Sequence, residues 1–249
     1  MTATPTVESL SARKCKAAIA KSSAAFVQAK IGALQRSREN IVKGKFTGVC
    51  PDDDQKTTSK IADAVQKLKA GIAKACGGKN KVCGAADTGA DADDLRSDIG
   101  FPAVCPGFEG GCTNAIADRD CADICTCLEC IGEAAVDQAI TLYYDITPAD
   151  PKTAKPLNTC QQTIGKSAVK FFVAKSKALA TCWDKVNSGK LAGPCPDAAK
   201  AQPAIAKAAA QKDAAIAKAC CGKNKTCSAA DTGADKDLSV AEIGLWAQC

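Results

Sequence analysis

Residues 72–91 read IAKACGGKNKVCGAADTGAD, and residues 216–235 read IAKACCGKNKTCSAADTGAD. The match extends outward through the cysteines. Cys76 corresponds to Cys220, Cys83 to Cys227 and Cys105 to Cys249 at an offset of 144, while Cys15 corresponds to Cys160 and Cys50 to Cys195 at 145. The one-residue difference falls in the loop after the Cys-Pro-Asp shared by 50–52 and 195–197. A repeat of fixed length decides the architecture before any local reading. It divides the 249 residues into a first unit at 1–105, a segment that occurs once at 106–151, and a second unit at 152–249.

Each unit reads as a helical hairpin followed by an ordered loop. In the first, Cys15, Ile19, Ser22, Phe26, Ala29, Ala33, Ser37 and Ile41 recur at spacings of three and four. In the second, Cys160, Ile164, Ser167, Phe171, Ala174, Ala178, Cys182 and Val186 lie on the same stripe. This is the periodicity of an amphipathic helix. Lys-Gly at 43–44 and Ser-Gly at 188–189 mark the helix exits. A second helix is predicted to end at Cys76, with its counterpart over 197–220. The single-copy segment opens on a Gly/Pro-rich turn at 106–111. A helix is predicted over 121–130 and another from about Glu133 to Tyr144. No strand pattern occurs, so the fold class is all-α: two disulfide-stapled helical hairpins flanking a short acidic helical module.

Composition sets the chemistry. Aromatic residues make up 4% and there is one Met, so an Ala/Ile/Val/Leu core needs reinforcement. Seventeen cysteines supply it if the compartment is oxidising, because disulfides restrict the unfolded chain. The same density in a reducing compartment points to metal. Residues 1–14 hold no apolar run like that of a signal peptide, and no run is long enough to span a membrane. The expectation is a mature extracellular, periplasmic or cell-surface product. Histidine is absent, which removes His-based zinc sites, Ser-His and Cys-His pairs and His general bases. No nucleophile–base pair or phosphate loop appears, so an enzyme is not expected, and no small-molecule substrate is identified.

The pattern KC…F…K…CP…KACGGK…C, closed by DCxxxCxCxxCIGEAAVDQAITLYYD, resembles Cys-rich, Ala/Lys-rich secreted bacterial repeat proteins of unassigned function. The resemblance covers nearly the whole chain. It implies an exported helical protein and brings no catalytic residue or ligand.

Three constellations carry chemistry. The densest is Cys121, Cys125, Cys127 and Cys130. At 100° per residue, Cys121 and Cys125 face one way and Cys127 and Cys130 face roughly 180° away. One ion does not collect all four on an unbroken helix. Disulfides to elements on opposite sides fit best, ahead of a metal cluster or a Cys127/Cys130 redox dithiol. The second constellation is an Asp-rich loop in both repeats. Asp231, Asp235, Asp237, Ser239 and Glu242 take positions 1, 5, 7, 9 and 12 of an EF-hand loop, and Asp87, Asp91, Asp93 and Asp98 take 1, 5, 7 and 12. Gly stands at position 3, and Ala92 and Lys236 replace the glycine required at position 6. Calcium is therefore the one cofactor these loops suggest, and a solvated loop is the competing reading.

The third is the cysteine count. Cys112 joins the module's set, and Cys182 and Cys221 occur where the first repeat has Ser37 and Gly77. Their joint absence suggests a mutual bond, yet a hairpin places them too far apart for one. The same geometry favours Cys15 with Cys76 and Cys160 with Cys220. An odd total leaves one cysteine unpaired or bonded to another chain.

Charge is segregated: +6 over 1–105, −8 over 106–151 and +8 over 152–249. The basic residues are mostly Lys without interleaved aromatics, which argues against nucleic acid. The function expected is a non-catalytic exported structural or interaction protein. It would be a stapled subunit of a surface assembly that self-associates head to tail, with filament formation open to it. Calcium or ligand binding by the Asp loops is the first alternative, and thiol-based metal binding the second.

Overall fold

A computed structural model describes residues 9–84, 86–144, 150, 152–228, 230–239 and 243. They form five α-helices: α1 (Leu10–Val42), α2 (Gln55–Cys76), α3 (Cys121–Tyr144), α4 (Lys155–Asn187) and α5 (Ala201–Cys220). Single 3-10 turns at Gly89–Asp91 and Gly233–Asp235 follow α2 and α5. Among the described residues there is no sheet, only the isolated bridges Val104 to Ala115 and Phe108 to Gly111.

The helix ends are set by local chemistry. Asp54 caps α2, accepting a hydrogen bond from the Thr57 amide at 3.2 Å and from its hydroxyl at 2.9 Å. Asp197 accepts from the amides of Lys200 (2.8 Å) and Ala201 (3.3 Å) ahead of α5. Gly44 and Gly189, at φ of 65° and 69°, terminate α1 and α4. The Lys45 amide reaches back to the Asn40 carbonyl and the Lys190 amide to that of Lys185, each at 2.8 Å, closing the same C-terminal motif twice.

The segment read as two helices is one. α3 runs through Gly132 without a break because that glycine answers a packing need. A methyl group there would stand 2.8 Å from Phe26 Cε1. Gly132→Val should therefore cost about 1–3 kcal/mol by overpacking, readable as a lowered denaturation midpoint. An unchanged midpoint would mean that Phe26 yields freely.

The described residues fall into two compact units. One comprises those among 1–27, 62–135 and 183–193, and the other those among 28–61, 136–182 and 194–249. These groupings differ from the sequential division at 105 and 151, because α1, α2, α3 and α4 each contribute to both. The first unit buries Cys15, Phe26, Leu68, Ile72, Cys76, Ile116, Ile124 and Cys127 as one apolar cluster. Four disulfides cross it: Cys15–Cys76, Cys83–Cys121, Cys105–Cys127 and Cys112–Cys130. The second unit holds Cys160–Cys220, Cys182–Cys195 and Cys221–Cys227. Its buried cluster beside α5 is small: Cys160, Cys220, Cys221 and Ile243.

Candidate functional site

The loop after α2 and the loop after α5 are built by the same bonds. Asn80 and Asn224 each use the side-chain carbonyl to accept an amide two residues on, from Val82 and Thr226, at 2.8 Å. Their Nδ2 groups donate to Asp87 and Asp231 at 2.9 and 3.0 Å. The Lys79 and Lys223 amides donate to the carbonyls of Ala90 and Ala234. Asp94 and Leu238 close the loops onto the last carbonyls of the helices, Cys76 and Cys220. Lys81 and Lys225 sit at φ of 60° and 59°, where the Asn side chain organises the turn.

Inside each loop one carboxylate faces inward. Asp93 is 1% exposed. Its Oδ2 accepts from the amides of Cys121 (2.7 Å) and Gly84 (3.3 Å), so it caps the start of α3 and ties down the loop at once. Burial pushes its carboxyl above the usual carboxylate range, against the lowering effect of those amide bonds. Asp237 repeats the arrangement through the Ser228 amide at 2.7 Å. A disulfide stands beside each: Cys83–Cys121 next to Asp93, and Cys221–Cys227 next to Asp237.

Among the described residues, the calcium ligands read from sequence form no group of three or more with ligand atoms within 4.8 Å of one another. Asp87 and Asp231 are engaged by Asn side chains, and Asp235 accepts from the Asn224 amide at 2.9 Å. Asp91 and Asp98 are exposed, as is Ser239, and Glu242 lies outside the described residues. Among the described residues, the only groups of three or more ligand atoms within 4.8 Å are Cys83/Asp93/Cys121 and Cys221/Cys227/Asp237. The physical reason is the turn at position 6. Ala92 and Lys236 take φ of −60° and −57° there, not the left-handed turn that glycine makes in a calcium loop, and Asp87, Asp231 and Asp235 serve as internal acceptors. The buried role of Asp93 and Asp237 had a sequence signal, the equal spacing of ten residues from Cys83 and Cys227.

The cysteine pairings are explicit in the structure. α3 is stapled to three separate stretches through Cys121, Cys127 and Cys130, while Cys125 is a free buried thiol. Cys182 and Cys221 do not bond each other and take separate partners. The expectation of a single unpaired cysteine is corrected: Cys50 and Cys125 are both free, and Cys249 lies outside the described residues. Cys50 lacks a partner because Ser37 occupies the place that Cys182 holds opposite Cys195. Burial raises the Cys50 thiol pKa, partly offset by the neighbouring Ser37 hydroxyl and Arg38 charge. Burial likewise pushes Cys125 to about 11. Neither thiol should react with iodoacetamide at pH 8 in the folded oxidised protein, and both should react in denaturant. Mass mapping checks this, and labelling of either in the folded state would contradict the burial.

One further difference separates the matched positions. Phe26 is buried beneath α3, with Leu68 nearby in the same cluster. Its counterpart Phe171 is half-buried, and Lys212, which stands at the position of Leu68, places its Nζ 5.8 Å from the ring centroid. Compared with known proteins, the chain matches no family, no curated protein and no solved structure.

Proposed function

We infer that this is an exported, non-catalytic helical protein whose disulfides hold a fixed binding surface, a subunit of an extracellular or cell-surface assembly. The observation that carries the reading is the clamping of α3. Three disulfides, Cys83–Cys121, Cys105–Cys127 and Cys112–Cys130, fix the first part of one acidic helix within a single unit. Such density is characteristic of oxidising compartments, and no helix among the described residues is long and apolar enough to cross a membrane. The acidic stretch 106–151 and the basic stretch 152–249 supply complementary charge for head-to-tail self-association. Lys212 over Phe171 favours a contact led by charge rather than by apolar burial.

Light scattering across a salt series tests this. Association should weaken as salt rises, because screening shortens the reach of exposed charges to about 10 Å at 0.1 M. A non-reducing gel separates a covalent joint from a charged one. A particle that stays monomeric at low salt and high concentration would leave self-association without support, and the partner would then be a different chain.

A further inference from the structure

Two clusters assembled from different parts of the chain share one composition. The sulfurs of Cys83 and Cys121 lie with a carboxylate oxygen of Asp93 inside 4.8 Å, and those of Cys221 and Cys227 lie so with Asp237. Cys83 and Asp93 match Cys227 and Asp237 in the repeat. The other sulfur does not: it comes from the first residue of α3 in one cluster and from the residue after α5 in the other. The same ligand set has thus been completed twice by different means.

In both clusters the carboxylate has an oxygen to spare. Oδ2 of Asp93 and of Asp237 takes the backbone amides. Oδ1 of each is buried and has no hydrogen-bond partner. A buried carboxylate oxygen without a donor is costly, and closing the loop requires only the other one. A side-chain amide would satisfy the loop equally well without the charge. Two sulfurs and one anionic oxygen form a donor set suited to a soft or borderline divalent cation, with a fourth position left for solvent.

We propose that Cys83/Asp93/Cys121 and Cys221/Cys227/Asp237 are twin redox-gated sites for a thiophilic divalent cation of the zinc or cadmium type. While the sulfurs are bonded to each other, the sites are closed. A phosphine reductant opens them: phosphine, protein disulfide and one water give the phosphine oxide and two thiols. The cation then displaces the two thiol protons, forming two metal–sulfur bonds of about 2.3 Å for zinc, and the carboxylate supplies the third ligand. Uptake is therefore accompanied by release of two protons per site and strengthens as pH rises. The proposal goes beyond the structural reading, which concerns the oxidised protein, and the two stand or fall separately.

The test uses the full chain, with cadmium as the probe. Oxidised protein, and protein treated with limiting phosphine, are titrated with Cd2+. Binding is read by the thiolate-to-cadmium ultraviolet band and counted by native mass spectrometry. The expected result is no uptake before reduction and two ions per chain after it. Asp93→Asn and Asp237→Asn should each lose one ion, and the double variant both, at concentrations that saturate the unaltered protein. Asn keeps an acceptor for the Cys121, Gly84 and Ser228 amides, so the oxidised variants should retain their fold, which thermal unfolding verifies. Should Asp93→Asn fail to fold, the half-buried Asp237 carries the same test alone. No uptake after reduction would overturn the proposal. So would equal uptake by the double variant, which would mark the thiols as unselective scavengers.

Discussion

Ser37→Cys is expected to close an eighth disulfide with Cys50 and to raise stability by about 3 kcal/mol, the chain-entropy value for a loop of this length. The matched pair sets the geometry. Cys182 and Cys195 are bonded across 13 residues with a Cα–Cα distance of 5.9 Å, and the spacing from 37 to 50 is the same. The Cys50 thiol already lies buried at the site, donating to the Leu34 carbonyl at 3.9 Å. Ser37 is fully buried, and its hydroxyl has no hydrogen-bond partner among the described residues. Mass spectrometry should show the loss of two hydrogens, thiol titration should lose Cys50, and the denaturant midpoint should rise. If both thiols at 37 and 50 remain alkylatable in the unfolded but unreduced chain, the two repeats differ at this point in backbone and not merely in one atom.

Removal of the Cys160–Cys220 bond, as Cys160→Ala with Cys220→Ala, is expected to cost about 4 kcal/mol for a loop of 60 residues. The damage should be concentrated in α5. That helix buries only Ala201 and Cys220, and most of a helix's stability in a protein comes from tertiary packing of one face. Amide exchange across α5 should lose its protection at temperatures where α1 to α3 keep theirs. The matching change at Cys15 and Cys76 removes a bond across 61 residues, so its loop term is nearly equal. α2 should nevertheless stay protected, since Ala64, Leu68 and Ile72 remain packed in the larger cluster. Retained protection in α5, or equal loss in α2, would show that packing rather than the bond secures the second hairpin.

The all-α class is legible in the sequence because three/four spacing, Lys-Gly and Ser-Gly exits and the absence of strand patterns all point one way. Cys15–Cys76 and Cys160–Cys220 are legible because hairpin geometry limits what the open ends can reach. The interruption expected between 130 and 133 is absent, and Gly132 there packs against Phe26, more than a hundred residues away. The Asp loops are legible only as a spacing. Their spacing resembles a cation loop, but the direction of each carboxylate depends on the Asn80 and Asn224 turns. Helical spacing puts Cys125 on the same side of α3 as Cys121, yet no spacing rule shows that Cys121 is bonded while Cys125 stays free.

Cys83 and Cys227 occupy one position in the repeat and yet bond at separations of 38 and 6 residues. The choice turns on a single neighbour, Gly77 against Cys221. A chain made from its N-terminus exposes Cys227 with its partner already beside it, and a short loop closes at small entropic cost. Cys83 emerges with Cys76 as its nearest earlier sulfur, and must avoid it until Cys121 arrives, past Cys105 and Cys112. The bond at Cys83 therefore has to wait for a later segment of chain, whereas the local bond after α5 can form as soon as Cys227 is made. Thiol exchange should therefore matter more to the first hairpin than to the second.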